Sequence, residues 1–204
     1  LRDGRLVLGP RASPGEPSDG QHVRAIGEEA ALGEIVVRSG TTLNPAHVAV
    51  IAGCGHDVVA VAAEPRVSLV FTGDEVIESG VPGPGQVRDS FGPQLPALVR
   101  MLGGRVVGTC RIGDDLTVTV AALAEVAATS DLVITTGGTG HSPVDHLRAA
   151  LTALGADLVI ERIAMRPGSP TLVARLPYGR LVVGLPGNPL AAMMGMLTVV
   201  HPLL

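Results

Sequence analysis

Short apolar runs alternate with helix-like stretches along the chain from about residue 64 onward. The runs are rich in Val, Ile and Leu, as expected for strands that are buried on both faces of a sheet. They predict strands at residues 66–71, 105–109, 131–135, 158–164, 171–176 and 180–185. The stretches between and after the strands predict helices at residues 91–102, 116–128, 143–154 and 190–200. This alternation indicates an α/β domain with three layers, in which helices cover both faces of a mostly parallel sheet.

Residues 1–64 differ from the rest of the chain, because they are rich in Gly, Pro and charge and offer little to bury. Short apolar runs predict strands at residues 5–8, 34–37 and 58–62. The sequence therefore predicts two domains. The first is a small, mostly extended β unit with one helix at residues 1–64, and the second is the α/β domain at residues 65–204.

The helix of the first unit has recognisable ends. Asn44 suits the N-cap because its side chain can accept a backbone N–H, and Pro45 suits the first helical position because its missing N–H is not needed there. Gly55 suits the C-terminal end, where a left-handed backbone is common. The helix is therefore predicted within residues 41–55.

Composition and charge narrow the choice of function. Of the 204 residues, 46% are hydrophobic and only 1% aromatic, so Val, Leu, Ile and Ala must build the core. The net charge of −4 argues against nucleic acid as the main partner. The uninterrupted apolar run at residues 190–200 is too short to span a bilayer, so no membrane association is expected. Cys54 and Cys110 lie far apart without metal-ligand spacing, which is typical of reduced, buried thiols in a cytoplasmic protein.

The most informative stretch is DLVITTGGTGHSPVD at residues 131–145. A predicted strand breaks at Gly137 and Gly138 into a turn, and a predicted helix follows. This order places several backbone N–H groups around one hollow, where a phosphate can bind. Asp145 would stand at the rim, where a carboxylate suits a hard cation such as Mg²⁺. The alternative is a tight turn that needs positive φ, with Asp145 as an ordinary acid in the first helical turn.

Two other unusual loops directly follow predicted strands. They are Thr72-Gly73-Asp74-Glu75 and Pro186-Gly187-Asn188-Pro189. In such sheets ligands bind beyond the carboxyl ends of the strands, so both loops should meet the glycine turn. The carboxylates of Asp74 and Glu75 could hold Mg²⁺ beside a phosphate, or could simply mark a strand end that reaches solvent. Asn188 could cap a helix whose N–H groups bind an anion, or could act only as a cap.

Asp114 and Asp115 follow another predicted strand. One of them is explained as the N-cap of the next helix. The other could bind a metal or a substrate, and the sequence does not determine which of the two it is. No Ser/His/Asp or Cys/His arrangement emerges from the order of the residues, so covalent catalysis is not expected.

Taken together, these motifs resemble the molybdopterin molybdotransferase family, which includes the E domain of gephyrin. The matching segments, in chain order, are HVRAIGEEAALGEIVVRSGTTLNP, PRVSLVFTGDEV, DLVITTGGTG with Asp145, MRPGSP and GLPGNPLAAM. The resemblance implies a molybdopterin-binding α/β domain, a homodimer and the last step of molybdenum cofactor synthesis. In that step adenylylated molybdopterin and molybdate are converted, with Mg²⁺, into the molybdenum cofactor and AMP.

The resemblance also implies roles for individual residues. Glu75 and Asp145 match acids near the metal and the molybdate, and Asp114 or Asp115 matches an acid after the second strand. Glu75, Asp114 and Asp145 are therefore the predicted catalytic residues, and Glu75 and Asp145 are also the predicted metal ligands. The residues predicted to hold the pterin phosphate are Thr72, Gly73, Asp74, Thr136, Gly137, Gly138, Thr139, Gly140, Ser142, Arg166, Ser169, Pro186, Gly187 and Asn188.

Departures from the family pattern keep two other functions open. The loop TTGGTG is closer to the related molybdopterin adenylyltransferases. Phe91 stands where the family usually has the Asn of a DSN motif, and Ser169 stands where it usually has a lysine. The family's N-terminal and C-terminal portions also have no counterpart in this sequence. We therefore expect a partial molybdotransferase, with a molybdopterin adenylyltransferase or a non-catalytic pterin-binding scaffold as the alternatives.

Overall fold

The computed structural model describes residues 9–11, 15, 18–140 and 145–204. The chain divides into two compact units, Leu1–Val61 and Ala62–Leu204. No helix among the described residues is long and apolar enough to cross a membrane.

The first unit contains the helix α1, Pro45–Gly53. Its start matches the prediction, because the Asn44 side chain accepts the His47 N–H at 3.0 Å and the His47 side chain accepts the Asn44 N–H at 3.3 Å. This reciprocal pair satisfies backbone donors that a helix start leaves without partners. The helix ends at Cys54, and Gly55 follows with a left-handed φ of 86°. Cys54 is exposed, so the prediction that its thiol is buried is wrong.

The strands predicted in the first unit are wrong where the structure describes them. Residues 34–37 and 58–62 form turns or irregular chain, and residues 5–8 lie outside the described residues. Ile35 and Val58 are 74% and 86% exposed. A strand needs a neighbour for its backbone groups, and these short apolar runs have none among the described residues of the unit.

The second unit contains the predicted alternation of strands and helices. Its strands are β1 (Arg66–Thr72), β2 (Val76–Ile77), β3 (Val87–Arg88), β4 (Arg105–Ile112), β5 (Leu132–Thr136), β6 (Asp157–Ile160), β7 (Leu172–Arg175) and β8 (Leu181–Leu185). Its helices are α2 (Phe91–Met101), α3 (Leu116–Thr129), α4 (Leu147–Ala153) and α5 (Pro189–Gly195). A π-helical turn, Met196–Val200, and a 3₁₀ turn, His201–Leu203, extend α5.

The main sheet has six strands in the order β4-β1-β5-β8-β7-β6. Strands β4, β1, β5 and β8 run parallel, whereas β7 is antiparallel to both β8 and β6. The prediction of a mostly parallel sheet is therefore confirmed. The two short strands β2 and β3 pair separately as a parallel ribbon, in a segment that the sequence predicted to be a loop.

The core lies on both faces of this sheet. On one face Leu69, Ile134 and Val183 pack with α2, α5 and the turn after α5, and on the other face Val70 and Val133 pack with α3 and α4. Adjacent residues of one strand thus enter opposite cores, as the alternation of side chains along a strand requires. Each fully buried Leu or Ile contributes about 1.5–3 kcal/mol relative to exposure. The three-layer α/β/α prediction is confirmed.

Candidate functional site

A cavity of about 530 Å³ opens at the carboxyl ends of the parallel strands. The predicted site residues that line it are Thr72, Gly73, Glu75, Asp114, Thr136, Gly137, Gly138, Asp145 and Gly187. They come from the ends of β1, β4, β5 and β8, which are separate in sequence and adjacent in the sheet. The sheet therefore gathers the three predicted loops as expected for a parallel α/β fold.

Other predicted residues lie beside the cavity. The Asp74 N–H donates to Asp114 Oδ2 at 3.3 Å, and Pro186 is buried just before Gly187. Thr139 is 3% exposed and packs near β8. A Cβ on Gly140 would lie 2.7 Å from Asp145 Oδ2, so this glycine lets the two chain segments approach closely.

The remaining predicted residues occupy a different place. Arg166, Ser169 and Asn188 line a second hollow of about 740 Å³. There Arg162 Nη2 donates to Ser169 Oγ at 3.3 Å. Ser142 lies outside the described residues.

The structure assigns different roles to the two neighbouring acids at the end of β4. Asp115 Oδ1 accepts the Val118 N–H at 2.9 Å, which makes Asp115 the N-cap of α3. Asp114 lines the cavity. Of the two acids, Asp114 is therefore the one that lines the cavity.

Glu75, Asp114 and Asp145 give the cavity an oxygen-rich wall. Among the described residues, no group of three or more His, Cys, Asp or Glu side chains is close enough to hold a metal ion by itself. Mg²⁺ commonly takes one or two protein carboxylates and completes its octahedron with water and substrate phosphates. The donor set fits that mode of binding and does not form an all-protein cage.

The glycine turn after β5 is held tightly against its neighbours. Gly137 has a φ of 82°, and a Cβ there would lie 2.6 Å from Thr72 Oγ1, which itself donates to the Thr136 carbonyl at 2.6 Å. The Gly137 N–H donates to the Leu185 carbonyl at 2.9 Å. This N–H is therefore used within the fold.

The loop after β8 begins α5 as predicted. Asn188 Oδ1 accepts the Ala191 N–H at 3.0 Å, so Asn188 is the N-cap. Gly187 lines the cavity, and a Cβ there would lie 3.9 Å from the Gly137 Cα. The two glycine-containing loops thus meet at one wall.

The ribbon of β2 and β3 forms a wall that sequence reasoning missed. Val76, Val87 and Arg88 line the cavity from this ribbon. Two-residue strands carry no periodic pattern, so only the polar residues after the TGDE loop could have suggested it. Within the part of the chain that the structure describes, no carboxylate pairs with Arg88.

Arg111 and Asp89 join this ribbon to the sheet. Arg111 Nη2 lies 2.6 Å from Asp89 Oδ2, and the guanidinium carbon lies 5.4 Å from the centre of the Phe71 ring. The other Asp89 oxygen accepts the N–H groups of Phe91 and Gly92, both at 3.0 Å. Asp89 therefore holds the start of α2 and the end of β4 together beside the cavity.

The fold and the cavity are typical of α/β domains that bind small ligands at the carboxyl edge of the sheet. The family model described as "Probable molybdopterin binding domain" matches residues 68–204. Since this match covers more than half of the chain, the chain belongs to the molybdopterin-binding domain family. The predicted resemblance is thereby confirmed at the level of the family.

Curated relatives agree with this membership. The chain is 35% identical over 186 residues to the molybdopterin molybdenumtransferase of Staphylococcus aureus, covering 91% of this chain and 44% of the relative. It is 34% identical over 184 residues to the Staphylococcus epidermidis protein of the same name, covering 89% of this chain and 43% of that relative. The chain thus spans less than half the length of these relatives.

Solved structures of related proteins also agree with this membership. The molybdopterin biosynthesis MoeA protein of Pyrococcus horikoshii matches with a TM-score of 0.70 and 27% identity, over 82% of this chain and 41% of that one. A molybdopterin biosynthesis protein of Mycobacterium abscessus matches with a TM-score of 0.52 and 25% identity, over 68% of this chain and 90% of that one.

Proposed function

We propose that this chain is the substrate-binding part of a molybdopterin molybdotransferase and acts in molybdenum cofactor biosynthesis. Its substrates would be adenylylated molybdopterin and molybdate, and its products the molybdenum cofactor and AMP. The names of the curated relatives support this proposal over the adenylyltransferase alternative.

The observation that carries the proposal is the composition of the cavity. Three acidic residues line one space of about 530 Å³ beside the glycine turn: Glu75 after β1, Asp114 after β4 and Asp145 just before α4. That volume is in the range of small-molecule sites. Polar groups converging from separate elements are the arrangement expected where a phosphate ester is positioned for reaction.

Glu75 and Asp145 are the residues that we propose to hold Mg²⁺. When bound, the ion would offset the negative charge of the phosphates and of the departing AMP. Asp114 would orient the substrate or a water molecule from the end of β4. Arg88 would contact a phosphate or molybdate oxygen, because it lines the same cavity and no described carboxylate pairs with it.

The proposed chemistry needs no covalent intermediate. Water attacks the phosphoanhydride bond of adenylylated molybdopterin, so that AMP leaves and the terminal phosphate stays on molybdopterin. Molybdate then binds the two dithiolene sulfurs, and one of its oxygens leaves as water with the two thiol protons. The protein contributes position and fixed charge, which are the main terms in phosphoryl chemistry. We further propose a cytoplasmic protein whose full-length form is a homodimer.

Titration calorimetry with adenylylated molybdopterin tests the proposal, with and without Mg²⁺ and molybdate, while AMP is assayed in the same samples. The expected result is binding that Mg²⁺ strengthens, with AMP release when molybdate is present. Binding without AMP release under saturating conditions would favour the pterin-binding scaffold. Adenylylation of molybdopterin from ATP would favour the adenylyltransferase, and no binding at all would overturn the proposal.

A further inference from the structure

A small hollow adjoins the cavity that Glu75, Asp114 and Asp145 line, and we call these two spaces the inner hollow and the main cavity. Thr72, Asp114 and Gly138 line both of them. The inner hollow has a volume of about 10 Å³. A water molecule needs about 10–15 Å³ and two or more polar partners, so the hollow has the size for one.

Thr135, on β5, supplies a polar group that the fold does not otherwise use. Its side chain is 1% exposed and lines the inner hollow. Among the described residues, Thr135 Oγ1 has no hydrogen-bond partner. A buried hydroxyl without a partner is costly, and ordered water is the usual remedy where a hollow offers room.

The inner hollow also contains groups that can complete the coordination of a water molecule. Asp114 and His146 both line it. The hydroxyl protons of Thr72 and Thr119 are already donated, to the carbonyls of Thr136 at 2.6 Å and Asp115 at 2.7 Å. Asp114 is therefore the strongest acceptor left for a proton of the bound water.

We propose that the inner hollow binds one water molecule that links the Thr135 hydroxyl to the Asp114 carboxylate. The hydroxyl donates to the water, and the water donates to the carboxylate. Asp114 is then held from two sides, because its Oδ2 also accepts the Asp74 N–H at 3.3 Å. The water site goes beyond the proposed function, and Thr135 becomes a positioning residue for Asp114.

Thr171 offers a matched control for this proposal. Its side chain is fully buried, and its hydroxyl also has no hydrogen-bond partner among the described residues. It packs against Gly195 of α5, where an added Cβ would lie 3.2 Å from Thr171 Oγ1. Replacing this hydroxyl by a methyl group should therefore relieve a cost without removing a water bridge.

Thermal unfolding of Thr135→Val, Thr135→Ser and Thr171→Val tests the water bridge. We expect Thr135→Val to lower Tm by about 2–4 °C. We expect Thr135→Ser to stay near the wild type because it keeps the hydroxyl, and Thr171→Val to leave Tm unchanged or raise it. Equal or higher stability of Thr135→Val would overturn the proposal, since it would mean that the hydroxyl bonds nothing.

A crystal structure of the wild-type chain tests the same site without a variant. Electron density for one water at about 3 Å from both Thr135 Oγ1 and the Asp114 carboxylate is expected. An empty hollow would overturn the proposal, even if Thr135→Val failed to fold.

The predicted effect of Thr135→Val on ligand binding rests on the proposed function, so it is measured in a separate experiment. Thr135→Val should weaken the Mg²⁺-dependent binding of adenylylated molybdopterin about 3- to 10-fold, whereas Thr135→Ser should not. If the wild type bound no ligand, the proposed function would fail while the water site would still be decided by crystallography. If the wild type bound and Thr135→Val bound equally well, the positioning role would fail alone.

Discussion

At the scale of single residues, Asp114 and Asp115 illustrate how adjacent acids at one strand end take different roles. We predict that Asp115→Ala lowers the free energy of unfolding by about 1 kcal/mol, because α3 loses its N-cap, and leaves the ligand Kd unchanged. Asp114→Asn should instead weaken ligand binding at least ~10-fold with little change in stability. Urea unfolding and calorimetry on both variants check this, and an exchange of the two effects would contradict the assignment.

Asp145 is one of the two residues proposed to make ligand binding depend on Mg²⁺. We predict that Asp145→Ala removes the gain in ligand affinity on adding Mg²⁺, because the cavity loses one of the two proposed carboxylate ligands. Calorimetric titrations of the variant with and without Mg²⁺ measure this gain, and circular dichroism controls for folding. An undiminished Mg²⁺ effect would mean that Asp145 serves only the start of the following helix.

Asp131, just before β5 and far from the cavity, is expected to make the stability of the fold depend on pH. Hydrogen bonds from the Arg66 side chain and its backbone N–H, at 2.9–3.1 Å, hold the pKa of the Asp131 carboxyl well below its ordinary value, and Arg180 adds a contact at 2.8 Å. A lowered folded-state pKa stabilises the fold above the unfolded pKa of about 3.9, and this contribution is lost as the pH falls below it.

Asp131→Asn tests that dependence. We predict a lower urea midpoint than the wild type at pH 7 and pH 5, and a difference that shrinks as the pH falls below about 4. The effect should be modest because the Asp131 side chain is 39% exposed and solvent screens the pair. A difference that grew with acidification would have the wrong sign for this account.

At the scale of secondary-structure elements, α4 packs on β8 through a glycine. A Cβ on Gly184 would lie 2.5 Å from Leu147 Cδ2 and 2.9 Å from Thr139 Cγ2. We predict that Gly184→Ala costs about 1–3 kcal/mol of unfolding free energy through overpacking. Gly83→Ala is the control, because its added Cβ meets only Gln86 Oε1 at 3.4 Å and should change stability by less than about 0.5 kcal/mol. Equal effects would argue against this packing.

The elements also indicate how far the sequence determines the fold. Long apolar runs such as β1 and β5, and capped helices such as α1, are local patterns and were predicted well. The reversed direction of β7 was not predicted, because the sequence of a four-residue strand does not indicate whether it pairs parallel or antiparallel. The ribbon of β2 and β3 was missed because its pairing depends on tertiary contacts that a two-residue strand does not encode.

The site was predictable to a similar extent. Acids and glycines at strand ends pointed to the cavity because the topology of parallel sheets brings such ends together. Other contacts could not be predicted, because they join residues that are far apart in sequence. Examples are the hydrogen bond from the Gly137 N–H to the Leu185 carbonyl and the ion pair between Arg111 and Asp89. The placement of Arg166 in a separate hollow, together with Ser169 and Asn188, also depends on tertiary structure that the sequence pattern does not show.

At the scale of the whole molecule, the chain is less than half as long as the curated relatives that it matches. The α/β unit nevertheless forms a cavity with walls from β1, β4, β5, β8 and the β2–β3 ribbon. On the proposed function, this unit recognises the pterin phosphate by itself. Ligand binding by this chain is therefore the central claim.

A crystal structure of the chain with adenylylated molybdopterin and Mg²⁺ tests that claim most directly. The account predicts phosphate density in the main cavity, beside Gly138 and Arg88, with the metal between Glu75 and Asp145. Ligand density confined to the hollow of Arg166 and Asn188 would contradict it, as would a structure at saturating ligand with an empty main cavity.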